Sequence, residues 1–124
     1  MIAGIGADIV EIRRVGRSCE RFGQRFLKKI FTTAELDALA GCRVSTLAGR
    51  FAAKEAAVKA LGTGFAKGIG PLQIEIFSDS LGAPMLSFSG RAAERLRSIG
   101  VIRSLLSISH DRDTAVAFVV LEGQ

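Results

Sequence analysis

The stretch from Leu47 to Gly64, LAGRFAAKEAAVKALGTG, constrains this chain more than any other. It is dense in alanine, with no proline and no interior β-branched run, and so predicts a helix from about Ser45 to Leu61. Gly62 supplies the stop, and a Gly62-Thr63-Gly64 turn follows. On a 3.6-residue wheel Glu55 and Lys59 lie one turn apart on one face, among Ala48, Phe51, Ala52 and Val58. A carboxylate and an ammonium set among small and apolar side chains point to a functional site. The plainer alternative is an i,i+4 helix-stabilising pair worth roughly 0.2–0.5 kcal/mol. A second acid in a similarly odd setting lowers the weight of that alternative.

That acid is Asp8. Met1 to Val10, MIAGIGADIV, alternates as a strand does. Ala3, Ile5, Ala7 and Ile9 give an apolar face, and Gly4, Gly6 and Asp8 give a face almost without side chains. Glycines inside a strand often mark where a ligand or another backbone comes close, so Asp8 is expected to stand beside open space. The alternative for Asp8 is a cap or turn before the next helix.

That next helix is predicted over Glu11 to about Gln24, with Ile12, Val15, Cys19 and Phe22 as its apolar stripe. Arg14, Arg17 and Arg21 follow one another on a different face. Between Arg13 and Lys29 the chain has Arg13, Arg14, Arg17, Arg21, Arg25, Lys28 and Lys29 against the single acid Glu20, within a net charge of +5. Charge of one sign implies an anionic partner, whether nucleic acid, membrane surface or acidic protein. Thr32-Thr33-Ala34-Glu35 reads as a capping box that starts a short helix ended by Gly41. Leu72–Phe77 and Met85–Phe88 read as a hairpin, Gly90–Ile99 as a helix, and Arg103–Ser109 and Thr114–Leu121 as two further strands. Strands and helices do not alternate strictly. The expected class is α+β, a mainly antiparallel sheet packed with the long central helix, in one domain over residues 1–124.

Several classes drop out. No apolar run approaches the ~20 residues of a membrane span, and Asp8 and Glu11 interrupt any signal-peptide pattern, so a cytoplasmic chain is expected. Cys19 and Cys42 are too few and too isolated for a zinc site. Gly62, Gly64 and Gly68 follow a helix, whereas a dinucleotide fingerprint follows a strand. Walker A, HExxH and GxSxG patterns are all absent, and the chain has one histidine. The residues that are present suggest Mg²⁺-assisted diphosphate chemistry. Asp8 and Glu55 suit a hard ion that takes one or two carboxylates and fills its octahedron with water and phosphate. Lys59 would meet phosphate as a point charge, and backbone N–H groups around Gly62–Gly64 and Gly68–Gly70 would cradle further oxygens.

GIGADIVEIRRV (Gly4–Val15), FTTAEL (Phe31–Leu36) and LAGRFAAKEAAVKALGTG, with IEI, GAP and SISHD further on, run in order through nearly the whole chain. In these motifs the chain resembles the bacterial holo-[acyl-carrier-protein] synthases, small trimeric 4′-phosphopantetheinyl transferases of fatty acid biosynthesis. The resemblance implies transfer of phosphopantetheine from coenzyme A to a serine of an acidic acyl carrier protein, releasing adenosine 3′,5′-bisphosphate. It places Asp8 and Glu55 on Mg²⁺, Lys59 at the phosphates, and Glu55 as candidate base. It also implies docking of the carrier's acidic helix on Arg14, Arg21 and Arg25, and a homotrimer with active sites near subunit interfaces. Arg50 and His110 are set near the coenzyme A phosphates by the same resemblance, with a subunit-interface pair and a simple turn histidine as their respective alternatives.

Two other classes fit the sequence less well. A nucleic-acid-binding module would want aromatic stacking platforms, and the chain has no Trp or Tyr. A non-catalytic coenzyme A-binding subunit would be expected to lose a metal carboxylate, yet Asp8 and Glu55 are both present.

Overall fold

The structure is a computed structural model that describes all of residues 1–124. In chain order it contains β1 (Ile2–Glu11), α1 (Ile12–Phe22), α2 (Gln24–Ile30), α3 (Thr33–Ala38), α4 (Val44–Leu61), β2 (Ile74–Ser78), β3 (Pro84–Phe88), α5 (Gly90–Ser98), β4 (Val101–His110) and β5 (Thr114–Gly123). A short 3₁₀ turn, Pro71–Gln73, leads into β2. All strand pairing is antiparallel: a three-stranded sheet in the order β1-β5-β4 and the separate hairpin β2-β3. The α+β expectation is borne out.

Alanine explains why α4 is the core of the fold. Ala48, Ala52, Ala53, Ala56, Ala57 and Ala60 are all buried, so the helix has no single apolar stripe and is packed on almost every side. Side chains this small let β1 approach backbone to backbone. A Cβ on Gly6 would stand 1.9 Å from the Ala56 carbonyl oxygen, and one on Gly4 would stand 2.1 Å from that of Ala60. The glycines of β1 thus answer to another backbone, with no ligand between them. Gly62 ends α4 in the left-handed region at φ 80°, its N–H donating to the Lys59 and Val58 carbonyls.

The alternation in β1 is present, and of the two readings of its glycine face, a ligand or another backbone close by, the backbone is the one found. The glycine face packs on α4, while Ile5 and Ile9 on the other face are each 69% exposed. The basic helix does not run unbroken to Gln24. It stops at Phe22, Gly23 turns at φ 53°, and α2 starts anew at Gln24. The capping box forms as expected: Glu35 N–H donates to Thr32 Oγ1, and Thr32 N–H donates to Glu35 Oε1.

Candidate active site

The close crossing of β1 over α4 sets the site. Gly4 lies against Ala60 and Gly6 against Ala56, so β1 runs antiparallel to the helix with one inward residue per helical turn. The next inward residue is Asp8, which arrives beside the turn carrying Glu55 and Lys59. A cleft of about 600 Å³ opens there, lined by Asp8, Glu55, Arg14, Ser18, Phe26 and Phe51 among others. The strand, the central helix and the basic helix α1 each contribute to it. Asp8 does not cap α1: that position is held by Glu11, which makes no side-chain cap bond.

Lys59 takes a partner the helical wheel did not supply. Its Nζ donates to Asp8 Oδ1 and to the Ala7 carbonyl, both at 3.0 Å. Glu55 has no salt bridge of its own. Burial pushes the Glu55 carboxyl above the ordinary glutamate value, the nearby Asp8 charge pushes the same way, and Lys59 opposes them. Two oxygen-donor side chains held together and under-neutralised suit a hard divalent cation. No third His, Cys, Asp or Glu joins them, so protein ligands would leave most of an octahedron to water and phosphate.

The remaining predicted residues spread out. Arg21 stacks over the Phe22 ring at 5.3 Å, and Arg25 lines a separate groove with Phe22, Phe26 and Lys29. Phe26 belongs to both that groove and the cleft, so the basic surface is continuous with the site. Arg50 donates to Ser78 Oγ at 3.0 Å, and burial holds its guanidinium below the ordinary arginine value. The expected N–H cradle at Gly62–Gly64 is otherwise engaged. The Gly62, Thr63 and Gly64 amides all donate to the last carbonyls of α4, at 3.0, 3.3 and 3.2 Å. What Gly64 offers is room, since a Cβ there would meet nothing within 4 Å. His110 is exposed at the end of β4, the edge strand separated from β1 by β5, and does not line the cleft.

Sequence reasoning placed Glu35 in the capping box but passed over Lys54 and its pairing with that acid. Lys54 Nζ meets Glu35 Oε1 at 2.6 Å with both side chains sealed, and also donates to the Pro71 carbonyl. Glu35 Oε2 accepts the Ile76 N–H, and Thr32 Oγ1 donates to Glu75. The signal was present: Lys54 is a lysine within an alanine run, the same oddity that singled out Glu55.

Known proteins share this architecture and sequence. A profile of the 4′-phosphopantetheinyl transferase superfamily matches residues 4–119. The chain belongs to that superfamily. It is 52% identical to the holo-[acyl-carrier-protein] synthase of Desulfovibrio desulfuricans, over 98% of each chain. It is 54% identical to that of Maridesulfovibrio salexigens, over 98% of this chain and 99% of the relative. The crystal structure of the Neisseria meningitidis synthase superposes with a TM-score of 0.90 at 43% identity, covering 98% of this chain and 99% of that one. The Helicobacter pylori synthase, solved in complex with coenzyme A, superposes at 0.85 with 35% identity, over 95% and 99% of the two chains. Membership among the holo-[acyl-carrier-protein] synthases makes this chain an enzyme, a phosphopantetheinyl transferase.

Proposed function

We propose that this phosphopantetheinyl transferase moves 4′-phosphopantetheine from coenzyme A to a serine hydroxyl of an acidic apo acyl carrier protein, requires Mg²⁺, and releases adenosine 3′,5′-bisphosphate. The observation that carries the reading is the convergence of Asp8 and Glu55 on a cleft that Arg14 also lines, with Lys59 bonded to Asp8. Asp8 and Glu55 would hold the Mg²⁺, which when bound neutralises charge on the diphosphate oxygens. The serine oxygen attacks the phosphorus that carries pantetheine, and the P–O bond to the second phosphoryl group breaks. Glu55, with its carboxyl raised by burial and by Asp8, accepts the serine proton. Lys59, on a flexible stem, sits at the diphosphate and stabilises or protonates the leaving group. Gly64 bounds the phosphate side of the site by leaving space rather than by donating its N–H, while at Gly62 a Cβ would stand 3.4 Å from the Arg95 guanidinium, so Gly62 lets the chain turn close beside that cation.

The carrier docks on Arg14, Arg21 and Arg25, whose exposed charges act mainly on association rate and are screened by salt. A homotrimer is supported by the outward face of the three-stranded sheet. There Ile5, Val120 and Leu105 sit in one row and Ala7, Phe118 and Ser107 in the next, with Ile5, Leu105 and Phe118 exposed. Assembly would also give His110 its role, because only another subunit's cleft is open to it. There it would meet the 3′-phosphate of coenzyme A, with Arg50 as a second candidate contact. No helix is long and apolar enough to cross a membrane, in keeping with a cytoplasmic site of action.

The test is the intact mass of an apo carrier protein incubated with this enzyme, coenzyme A and Mg²⁺. The expected result is a gain of one phosphopantetheine on serine, lost when a chelator removes the metal. No gain with several well-folded carriers would overturn the reading.

A further inference from the structure

The Lys59–Asp8 contact has a property that a simple surface ion pair lacks. Lys59 Nζ is bonded to Asp8 Oδ1, a carboxylate oxygen of the acid pair, and is steadied by the Ala7 carbonyl. The Asp8 side chain is 17% exposed and that of Lys59 is 52% exposed, so the acid is fixed and the ammonium can leave. Glu55, one helical turn from Lys59, has no cation bonded to it and feels Lys59 only through space. One ammonium therefore serves as counter-charge for both acids.

We propose that Lys59 is a placeholder cation: it occupies the acid pair in the resting enzyme and is handed to the diphosphate when substrate and metal bind. The inference rests on the reading of Asp8 and Glu55 as Mg²⁺ ligands. Two carboxylates balance one divalent ion, so an ammonium held on the same oxygen is surplus and repelled once the ion is bound. The ammonium has nowhere favourable to go until a diphosphate supplies new negative charge. Metal alone must displace Lys59 and leave it unpaired. Metal with coenzyme A gives it a partner. The two ligands are thereby coupled, and by linkage each raises the affinity of the other by the same factor. The half-exposed lysine stem lets the transfer occur without moving α4, whose alanine faces are packed against the sheet and the hairpin.

The experiment is a Mn²⁺ titration read by electron paramagnetic resonance, with and without saturating coenzyme A, on the wild type and on Lys59→Met, Lys59→Arg and Asp8→Asn. Circular dichroism melts confirm that each variant is folded. The wild type is expected to bind Mn²⁺ alone weakly and roughly tenfold more tightly with coenzyme A, a modest value for site-to-site coupling. Lys59→Met is expected to bind Mn²⁺ alone roughly tenfold more tightly than the wild type and to lose most of the coupling. Lys59→Arg keeps a cation beside Asp8 and should keep the wild-type pattern. If Lys59→Met binds Mn²⁺ alone no more tightly than the wild type, while Asp8→Asn abolishes binding, the metal site stands and the placeholder is overturned. If the wild type takes up no Mn²⁺ even with coenzyme A, the metal reading fails and the placeholder fails with it.

Discussion

Lys54 and Lys59 stand little more than a turn apart on α4, each beside a carboxylate, and the two pairs are built for opposite purposes. Lys54 and Glu35 are sealed, with side chains 1% and 2% exposed, and every polar atom has a fixed partner. Lys59 is half in solvent and bound to an acid that shares its cleft with Glu55. Burial makes the first pair an all-or-nothing device, since taking two charges out of water is tolerable only while both are present. The second pair is worth little as an ion pair and can be broken at small cost, which a site that must exchange partners requires. A lysine among alanines is therefore a prompt to ask about charge, and exposure decides whether the answer is structure or chemistry.

The largest expected effect would break the comparison at its sealed end. Lys54→Met leaves the Glu35 carboxylate buried without a counter-charge and should lower unfolding free energy by about 3–5 kcal/mol, read by urea denaturation. A loss under about 1 kcal/mol would show that the pair is not what pins α4 to α3 and β2. Next in size is Gly6→Ala. The new Cβ would meet the Ala56 carbonyl oxygen at 1.9 Å, backbone against backbone, so β1 and α4 must part. The expected loss is about 1–3 kcal/mol. Turnover should fall with it, because Asp8 moves off Glu55, and unchanged turnover would separate the site from the crossing.

The open end should respond in the reverse way. Lys59→Met is expected to change stability by less than about 1 kcal/mol and yet reduce turnover by about a hundredfold or more, the range for losing one preorganised charge. A large melting shift with a small kinetic one would erase the distinction between the two lysines. The smallest effect comes from an acid with no burial. Asp111 Oδ1 accepts from the Asp113 and Thr114 N–H groups and from Thr114 Oγ1, bonds that hold its carboxyl below the ordinary aspartate value. A depressed folded value contributes stability that is present above the unfolded value and lost as pH falls toward the folded one. A shallow acid-side decline in melting temperature is expected, and it should be absent in Asp111→Asn.

The fold was legible wherever local chemistry decides it. The alanine helix, its Gly62 stop, the Thr32 capping box and the antiparallel strands all follow from residues near one another in sequence. Asp8 and Glu55 were legible because each is a carboxylate out of place among small and apolar neighbours. The partner of Lys59 was not, because a helical wheel sees only its own helix and Asp8 arrives from a strand far away in the chain. The glycine face of β1 was legible as a place of close approach, but which neighbour fills it was not, because only the fold shows that a helix of alanines admits glycine at this crossing and sends Ile5 and Ile9 outward. The Gly62–Gly64 amides looked free on paper and are taken up by the carbonyls that end α4.

On the proposed function, the open face of α4 performs the chemistry, with Glu55 at its centre. The most direct measurement is turnover of Glu55→Gln, followed by the intact mass of the carrier protein, alongside its melting curve and assembly state. Glu55→Gln is expected to be a folded protein of wild-type assembly that transfers no phosphopantetheine. Near-normal transfer by that variant would remove Glu55 from the chemistry.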